Sequence, residues 1–177
     1  MLLVISNRAH AANWHAHPKL KGRFLVKHGN QLHVIAHEGG PQLTARRPEL
    51  LVVEVIGCEG EVFLGRVKHQ PIQLQTVQLG GRIRFLVPAG SRYPVLVTEK
   101  YLQERSHWNI GPCSKCGFSE LFDAPSELIR ILFPHSTLGV SRGPFKIPCP
   151  LCNGLQRVSA NTELREPHAI TGKRRAR

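Results

Sequence analysis

The feature that most constrains this chain is a pair of two-residue cysteine spacings. Cys113-Ser114-Lys115-Cys116-Gly117 and Cys149-Pro150-Leu151-Cys152-Asn153-Gly154 each set two thiols either side of a two-residue spacer. Such a spacer turns both sulfurs of a pair toward one point. Small or glycine residues after the second cysteine leave backbone amides free to bond the sulfurs and offset their negative charge. Two pairs satisfy a tetrahedral Zn²⁺ with four thiolates at about 2.3 Å each. Cys113, Cys116, Cys149 and Cys152 are therefore the predicted ligands and Zn²⁺ the predicted cofactor. Two separate redox pairs or buried thiols are the other reading of these residues, and iron in a rubredoxin-like site is the chemical alternative. Four thiolates fill the coordination sphere, which predicts a structural site and not a catalytic one.

The 32 residues between the knuckles exceed the roughly 15–20 of a minimal ribbon, so this stretch must hold structure of its own. A helix over Glu127–Phe133 supplies it, with Asp123 or Ser126 as cap, Pro125 in the first turn and Pro134 as the stop. Thr98 caps a shorter predicted helix over Glu99–Arg105. The metal would tie 113–116 to 149–152 and stand in for core that this region lacks, so its removal should unfold residues 99–160. The fifth cysteine, Cys58, reads as a buried apolar thiol and not a nucleophile.

Before residue 98 the pattern is β. Arg82-Ile83-Arg84-Phe85-Leu86-Val87 alternates at period two, with Ile83 and Phe85 on one face and the arginines on the other. Leu50–Ile56 reads as a buried strand and 61–67 as a second one after a turn at Cys58-Glu59-Gly60. Arg23–Val26 and Gln31–Ile35 flank Gly29-Asn30 as a hairpin. Met1–Ile5 is too short for the apolar core of a secretory leader and has no basic residue before it, so it reads as a first strand. No apolar run approaches the roughly 20 residues of a spanning helix, and membrane partners are not expected. The cytoplasm is the default location, where cysteines more often bind metal than pair as disulfides. Several short strands with closely spaced turns predict a small antiparallel sheet or barrel.

Charge then narrows the function. Lys and Arg number 24 against 12 acids in 177 residues, a net of +12. Residues 1–48 carry +6 and 156–177 carry +4, so the stretch between them is nearly neutral. Cationic ends suit a polyanion: nucleic acid, or an acidic protein partner. The predicted nucleic-acid contacts are Arg66, Lys68, Arg82 and Arg84 on paired strands, with Lys173, Arg174, Arg175 and Arg177 in a basic tail. The bland reading of the four strand cations is an ordinary solvated sheet face. Tyr93, Tyr101 and Trp108 either stack on bases or close the junction between the sheet and the zinc region.

Catalytic signals are thin. Asp123 is the only aspartate, which excludes an all-aspartate magnesium cluster. In a strand, His15 and His17 of Trp14-His15-Ala16-His17 would share a face, but Glu38 is the only acid in the first 48 residues. No nucleophile elbow, Walker loop, dinucleotide fingerprint or H-E-x-x-H occurs. The expectation is a non-enzymatic protein, with a hydrolase using those histidines as the remote alternative and an interaction module as the closer one.

Val62-Phe63-Leu64-Gly65-Arg66-Val67-Lys68-His69-Gln70-Pro71, followed by Leu79-Gly80-Gly81-Arg82-Ile83-Arg84-Phe85 and preceded by Val52-Val53-Glu54-Val55, resembles a small uncharacterised bacterial β-domain family over residues 50–110. Gln70 stands where that pattern has a hydrophobic or small residue, and Gly81 where it has aspartate. The likeness implies a small β-rich fold and no particular chemistry. The two knuckles resemble zinc-ribbon proteins, a group that often binds nucleic acid or protein. The predicted fold class is α+β: a small antiparallel β-sheet or barrel domain over 1–98, a Cys₄ zinc-binding region with a short helix over 99–160, and a basic tail over 161–177. Oligomeric state is not readable from the sequence.

Overall fold

The computed structural model describes residues 14–38, 47–135 and 143–161. The predicted strand at Met1–Ile5 and the tail cations Lys173, Arg174, Arg175 and Arg177 lie outside them. Within the described residues five strands close into a barrel in sequence order: β1 (Gln31–Ala36), β2 (Glu49–Glu59), β3 (Val62–Val67), β4 (Arg82–Leu86) and β5 (Val95–Val97). Successive strands run antiparallel. An odd number of alternating strands brings the first and last together in the same direction, and β1 meets β5 in parallel at Ile35 and Val95. A bulge between Val55 and Gly57 bends the long β2 around the wall.

The alternation read in the sequence is the alternation of the barrel. Leu32, Val34 and Ala36 of β1, Leu51, Val53 and Val55 of β2, Phe63 and Val67 of β3, and Ile83 and Phe85 of β4 fill the interior. Phe63 and Phe85 are paired across β3 and β4 and stack at 5.4 Å between ring centroids. Gly65 sits inward between them in sequence. A Cβ there would fall within 3.0 Å of a Val53 methyl, so the barrel closes to this width only around a glycine. Two 3-10 turns, Trp14–Ala16 and Pro18–Leu20, bring Trp14 and Leu20 into the same core.

A second layer follows. Helix α1 (Glu99–Arg105) leads into β6 (Trp108–Ile110), then α2 (Pro125–Leu132), β7 (Phe145–Pro148) and β8 (Leu155–Ala160). The three strands form a sheet in the order β6-β8-β7. Its core is shared with the barrel, because Leu86, Val95 and Val97 pack with Tyr101, Phe118, Leu121, Phe145 and Val158. All three residues of β5 are buried: Leu96 faces the barrel interior while its neighbours face the second layer. Among the described residues the architecture is mostly β, with two short helices.

Three sequence expectations change. Arg23–Val26 is not a strand; one bridge, Phe24 to Leu32, survives, because Lys27 and Gly29 take left-handed backbone conformations that curl the segment. His15 and His17 occupy the 3-10 turns and not a strand, so they do not share a strand face. Helix α2 starts at Pro125 with Ala124 as its cap residue and no side-chain cap. Neither Asp123 nor Ser126 caps it. Glu104 of α1 does so from outside, accepting from the Ser126 amide at 2.9 Å and from its hydroxyl. Thr98 caps α1 as predicted, accepting from the Tyr101 amide at 3.1 Å.

Candidate metal centre and nucleic-acid interface

Each knuckle is carried by a strand ladder. The first follows β6, and the Gly111 amide bonds the Arg157 carbonyl of β8 at 2.8 Å. The second is the turn between β7 and β8, where Pro148 faces Leu155. The two turns are tied to each other directly: the Ser114 amide bonds the Leu155 carbonyl at 3.0 Å, and the Leu155 amide returns a bond to Ser114 Oγ at 3.1 Å. Because β8 is the middle strand, one register fixes both cysteine pairs.

The four sulfurs converge. All of the Cys113, Cys116, Cys149 and Cys152 Sγ atoms lie within 4.8 Å of one another. Cys113 and Cys152 are 3.4 Å apart, and Cys116 and Cys149 are 3.7 Å apart. A tetrahedron with metal–sulfur bonds of about 2.3 Å has edges of about 3.8 Å, so the donor set has the size and shape to hold a metal ion. The Lys115 amide points at Cys113 Sγ and the Gly154 amide at Cys152 Sγ, each at 3.4 Å.

The thiols are not alike. Burial pushes the Cys113 thiol up, but backbone hydrogen bonds at Cys116 and Lys115 outweigh it and bring it down to about 6. Burial pushes Cys116 and Cys149 up. The trailing glycines also differ in what they do. Gly117 takes φ 73°, and the equivalent position in the second knuckle is Asn153, at φ 58°. Gly154 has no left-handed conformation to serve; a Cβ on it would fall within 3.0 Å of Cys113 Sγ. One glycine provides a turn and the other a close approach.

A buried polar cluster braces the chain leaving the first knuckle. Glu120 accepts from the Tyr101 hydroxyl and from Arg105 Nε at 2.9 Å. The Gln156 side chain of β8 donates to the Phe118 and Glu120 carbonyls at 2.8 and 3.1 Å. Burial, then the Glu120 carboxylate, push the Tyr101 phenol well above its usual range. Tyr101 is thus a junction residue, wholly buried, and not a free stacking platform. Cys58 packs partly against the barrel core.

No family model, curated protein or solved structure matches the chain. The site must therefore be read from its own geometry.

Of the four strand cations, the structure brings two together. Arg66 and Arg82 are directly opposite each other on β3 and β4, both exposed. Lys68 bonds Glu54 at 3.3 Å and Arg84 bonds Glu99 at 3.4 Å. The predicted four-cation face is half neutralised, because glutamates on β2 and α1 reach it. His15 stacks on Trp14 at 3.5 Å, and His17 accepts from the Lys19 amide and sits edge-on to Phe63. Local packing occupies both imidazoles. Sequence reasoning missed a different cationic group, Lys21, Arg23 and Arg92, which line one cleft with His33 and Tyr93. These residues come from three separated segments, and only barrel closure assembles them. No helix among the described residues is long and apolar enough to cross a membrane.

Proposed function

We propose that this chain is a non-enzymatic, zinc-stabilised protein of the cytoplasm that contacts nucleic acid. The observation that carries the reading is the Arg66–Arg82 pair. Like charges directly opposite on a sheet are unfavourable, and neither guanidinium has an ion-pair partner among the described residues; Glu54, on the far side of Arg66, is bonded to Lys68. An anion bridging the two arginines removes that penalty, and a phosphodiester is the anion suited to guanidinium forks. Lys173, Arg174, Arg175 and Arg177 supply further charge.

Zinc is the ion proposed because four thiolates in a tetrahedron suit it and leave no open position for substrate. Elemental analysis of purified protein tests this: one equivalent of zinc and no visible absorption supports it, whereas stoichiometric iron with a coloured protein replaces it. For nucleic acid the test is a binding titration across salt, on the full chain and on a variant lacking residues 172–177. Affinity should fall with salt and fall less steeply in the variant. A slope near zero for both DNA and RNA overturns the reading. Ile72 and Val26, the large apolar side chains most exposed to solvent, favour the second reading, a zinc-stabilised module for an acidic protein partner. A stoichiometric protein complex formed without nucleic acid would establish it.

A further inference from the structure

Two cavities adjoin on the side of the barrel where β1 meets β5. The larger, about 580 Å³, is lined by Lys21, Arg23, His33, Arg92 and Tyr93. The smaller, about 240 Å³, is lined by Ile35, Tyr93, Phe118 and Leu151, together with Cys116 and Cys152. Arg92 and Tyr93 belong to both, so one is a polar compartment and the other an apolar compartment either side of a shared wall.

The walls of the larger cleft are braced. Arg23 donates to the Lys19 carbonyl at 2.9 Å, to the Arg92 carbonyl at 2.8 Å and to the Ser91 carbonyl at 3.3 Å. That guanidinium stitches the segment after the 3-10 turns to the β4–β5 connection. The Arg92 guanidinium lies over the Tyr93 ring, 5.2 Å from its centre, and His33 meets the ring edge-on. Five cations elsewhere have carboxylate partners: Lys19 with Glu61, Lys68 with Glu54, Arg84 with Glu99, Lys100 with Glu127, Arg105 with Glu120. Among the described residues Lys21, Arg23 and Arg92 have none, and no carboxylate lines the cleft. Three unneutralised cations around one concavity call for an anion, and an aromatic-walled apolar slot beside it calls for a flat ring.

Resting on the nucleic-acid reading above, we propose that these two compartments together hold one nucleotide of a single strand. Its phosphates sit among Lys21, Arg23 and Arg92, and its base enters the slot between Tyr93, Phe118 and Leu151. A duplex keeps its bases stacked and paired and cannot place one there without unstacking it, so the site selects single strands.

The test is fluorescence polarisation with labelled 12-nucleotide single-stranded DNA and RNA and a 12-base-pair duplex, at roughly 50–200 mM salt, on the full chain, a Lys21→Ala/Arg92→Ala variant and a Tyr93→Leu variant. Single strands should bind more tightly than duplex. The double variant, which alters two exposed side chains, should flatten the salt dependence by about 1.4, two contacts at about 0.7 each. Tyr93→Leu should weaken binding about fivefold or more with the salt slope unchanged. A wild-type chain that binds single strands with a steep salt slope while the double variant keeps that slope overturns the cleft and leaves the nucleic-acid reading intact. A flat wild-type slope overturns both. Duplex binding at least as tight as single-strand binding, or adenosine monophosphate binding as tightly as the 12-mer, overturns the single-strand assignment. Should Tyr93→Leu fail to fold by thermal melting, the double variant decides.

Discussion

Replacing Gly154 by alanine should damage the metal centre through a single methyl group. Gly154 has no left-handed φ, so alanine carries no backbone penalty there; the cost is steric. The added Cβ would stand within 3.0 Å of Cys113 Sγ, and 3.1 and 3.2 Å from Lys115 Cβ and Cγ. Relief to ordinary contact, 3.4 Å or more, needs the sulfur or the turn to move by over about 0.4 Å. That is twice the roughly 0.2 Å tolerance of a metal–sulfur bond. The turn is held at both ends, by the Cys149 amide on the Gly154 carbonyl at 2.6 Å and by the Gly154 amide on Cys152 Sγ. Neither side yields without losing a hydrogen bond. Overpacking of this kind costs about 1–3 kcal/mol, and perturbing groups that support metal ligands typically costs 10–100-fold in affinity. Gly117→Ala is the control: its φ of 73° is strained for alanine, but nothing lies within 4 Å of the new Cβ. It should lose about 1–2 kcal/mol, roughly 5–30-fold, from backbone strain alone. Competition of each variant against a chromophoric chelator measures the affinities, and Co²⁺ substitution reads the ligand geometry. Gly154→Ala should lower affinity at least about tenfold and shift the Co²⁺ spectrum, while Gly117→Ala leaves the spectrum unchanged. A Gly154→Ala protein with wild-type affinity and spectrum would refute the close-approach argument.

Four other outcomes are expected. Gly65→Ala should destabilise the barrel by about 1–3 kcal/mol, and adding Val53→Ala, which removes the methyl it strikes, should cost less than the two single changes summed in urea unfolding; strict additivity would count against the clash. Burial, opposed by His37 and reinforced by Glu127, holds the Asp123 carboxyl at about 6 against an ordinary 3.8. The fold therefore keeps a proton that the unfolded chain has released, and stability from this group falls as pH rises from about 4 to 6, by about 2–3 kcal/mol. Asp123→Asn should be more stable than wild type above pH 6 and lose that advantage near pH 4; measuring the difference between the two proteins at each pH cancels the pH dependence of the metal. Metal affinity should rise by at least about two orders of magnitude per pH unit near neutrality, because Cys116 and Cys149, both pushed up, each release a proton on ligation; a slope below two would show that fewer thiols are protonated. Chelation should raise amide exchange at Val95 and Val97, whose side chains lie in the second core, while Leu51–Val55 keeps its protection.

What could be read from sequence was local. The cysteine ligands declare themselves through a spacing of two residues, and Ile83 and Phe85 through a period of two, because each signal lies within a few residues of chain. Thr98 is legible for the same reason. Ala124 is not, since its helix is capped by Glu104, twenty residues away in sequence. Asn153 is instructive: the eye takes Gly117 and Gly154 as equivalents, yet the left-handed position of the second knuckle falls on the asparagine. Arg66 and Lys68 look alike in sequence; the β2 register sets Glu54 opposite Arg66, and only the side-chain geometry shows that the glutamate bonds Lys68.

The second layer is placed where the barrel most needs it. Closing five alternating strands forces a parallel seam, and here that seam has a single register pair, Ile35 with Val95, with a backbone bond across it from the Ile35 amide to the Pro94 carbonyl at 2.8 Å. The other neighbours in the barrel share three to six register pairs. A seam so thin must be held from outside. Arg23 holds it at one side through the Ser91 and Arg92 carbonyls, and the core that includes Cys113 and Cys149 holds it at the other through Val95 and Val97. Cys113 and Cys149 thereby bear on the barrel as well as on their own sheet. The same seam carries Tyr93 and Arg92, the wall common to both cavities. The weakest line of the barrel is thus also where Lys21, Arg23 and Arg92 meet the core that includes Cys113 and Cys149.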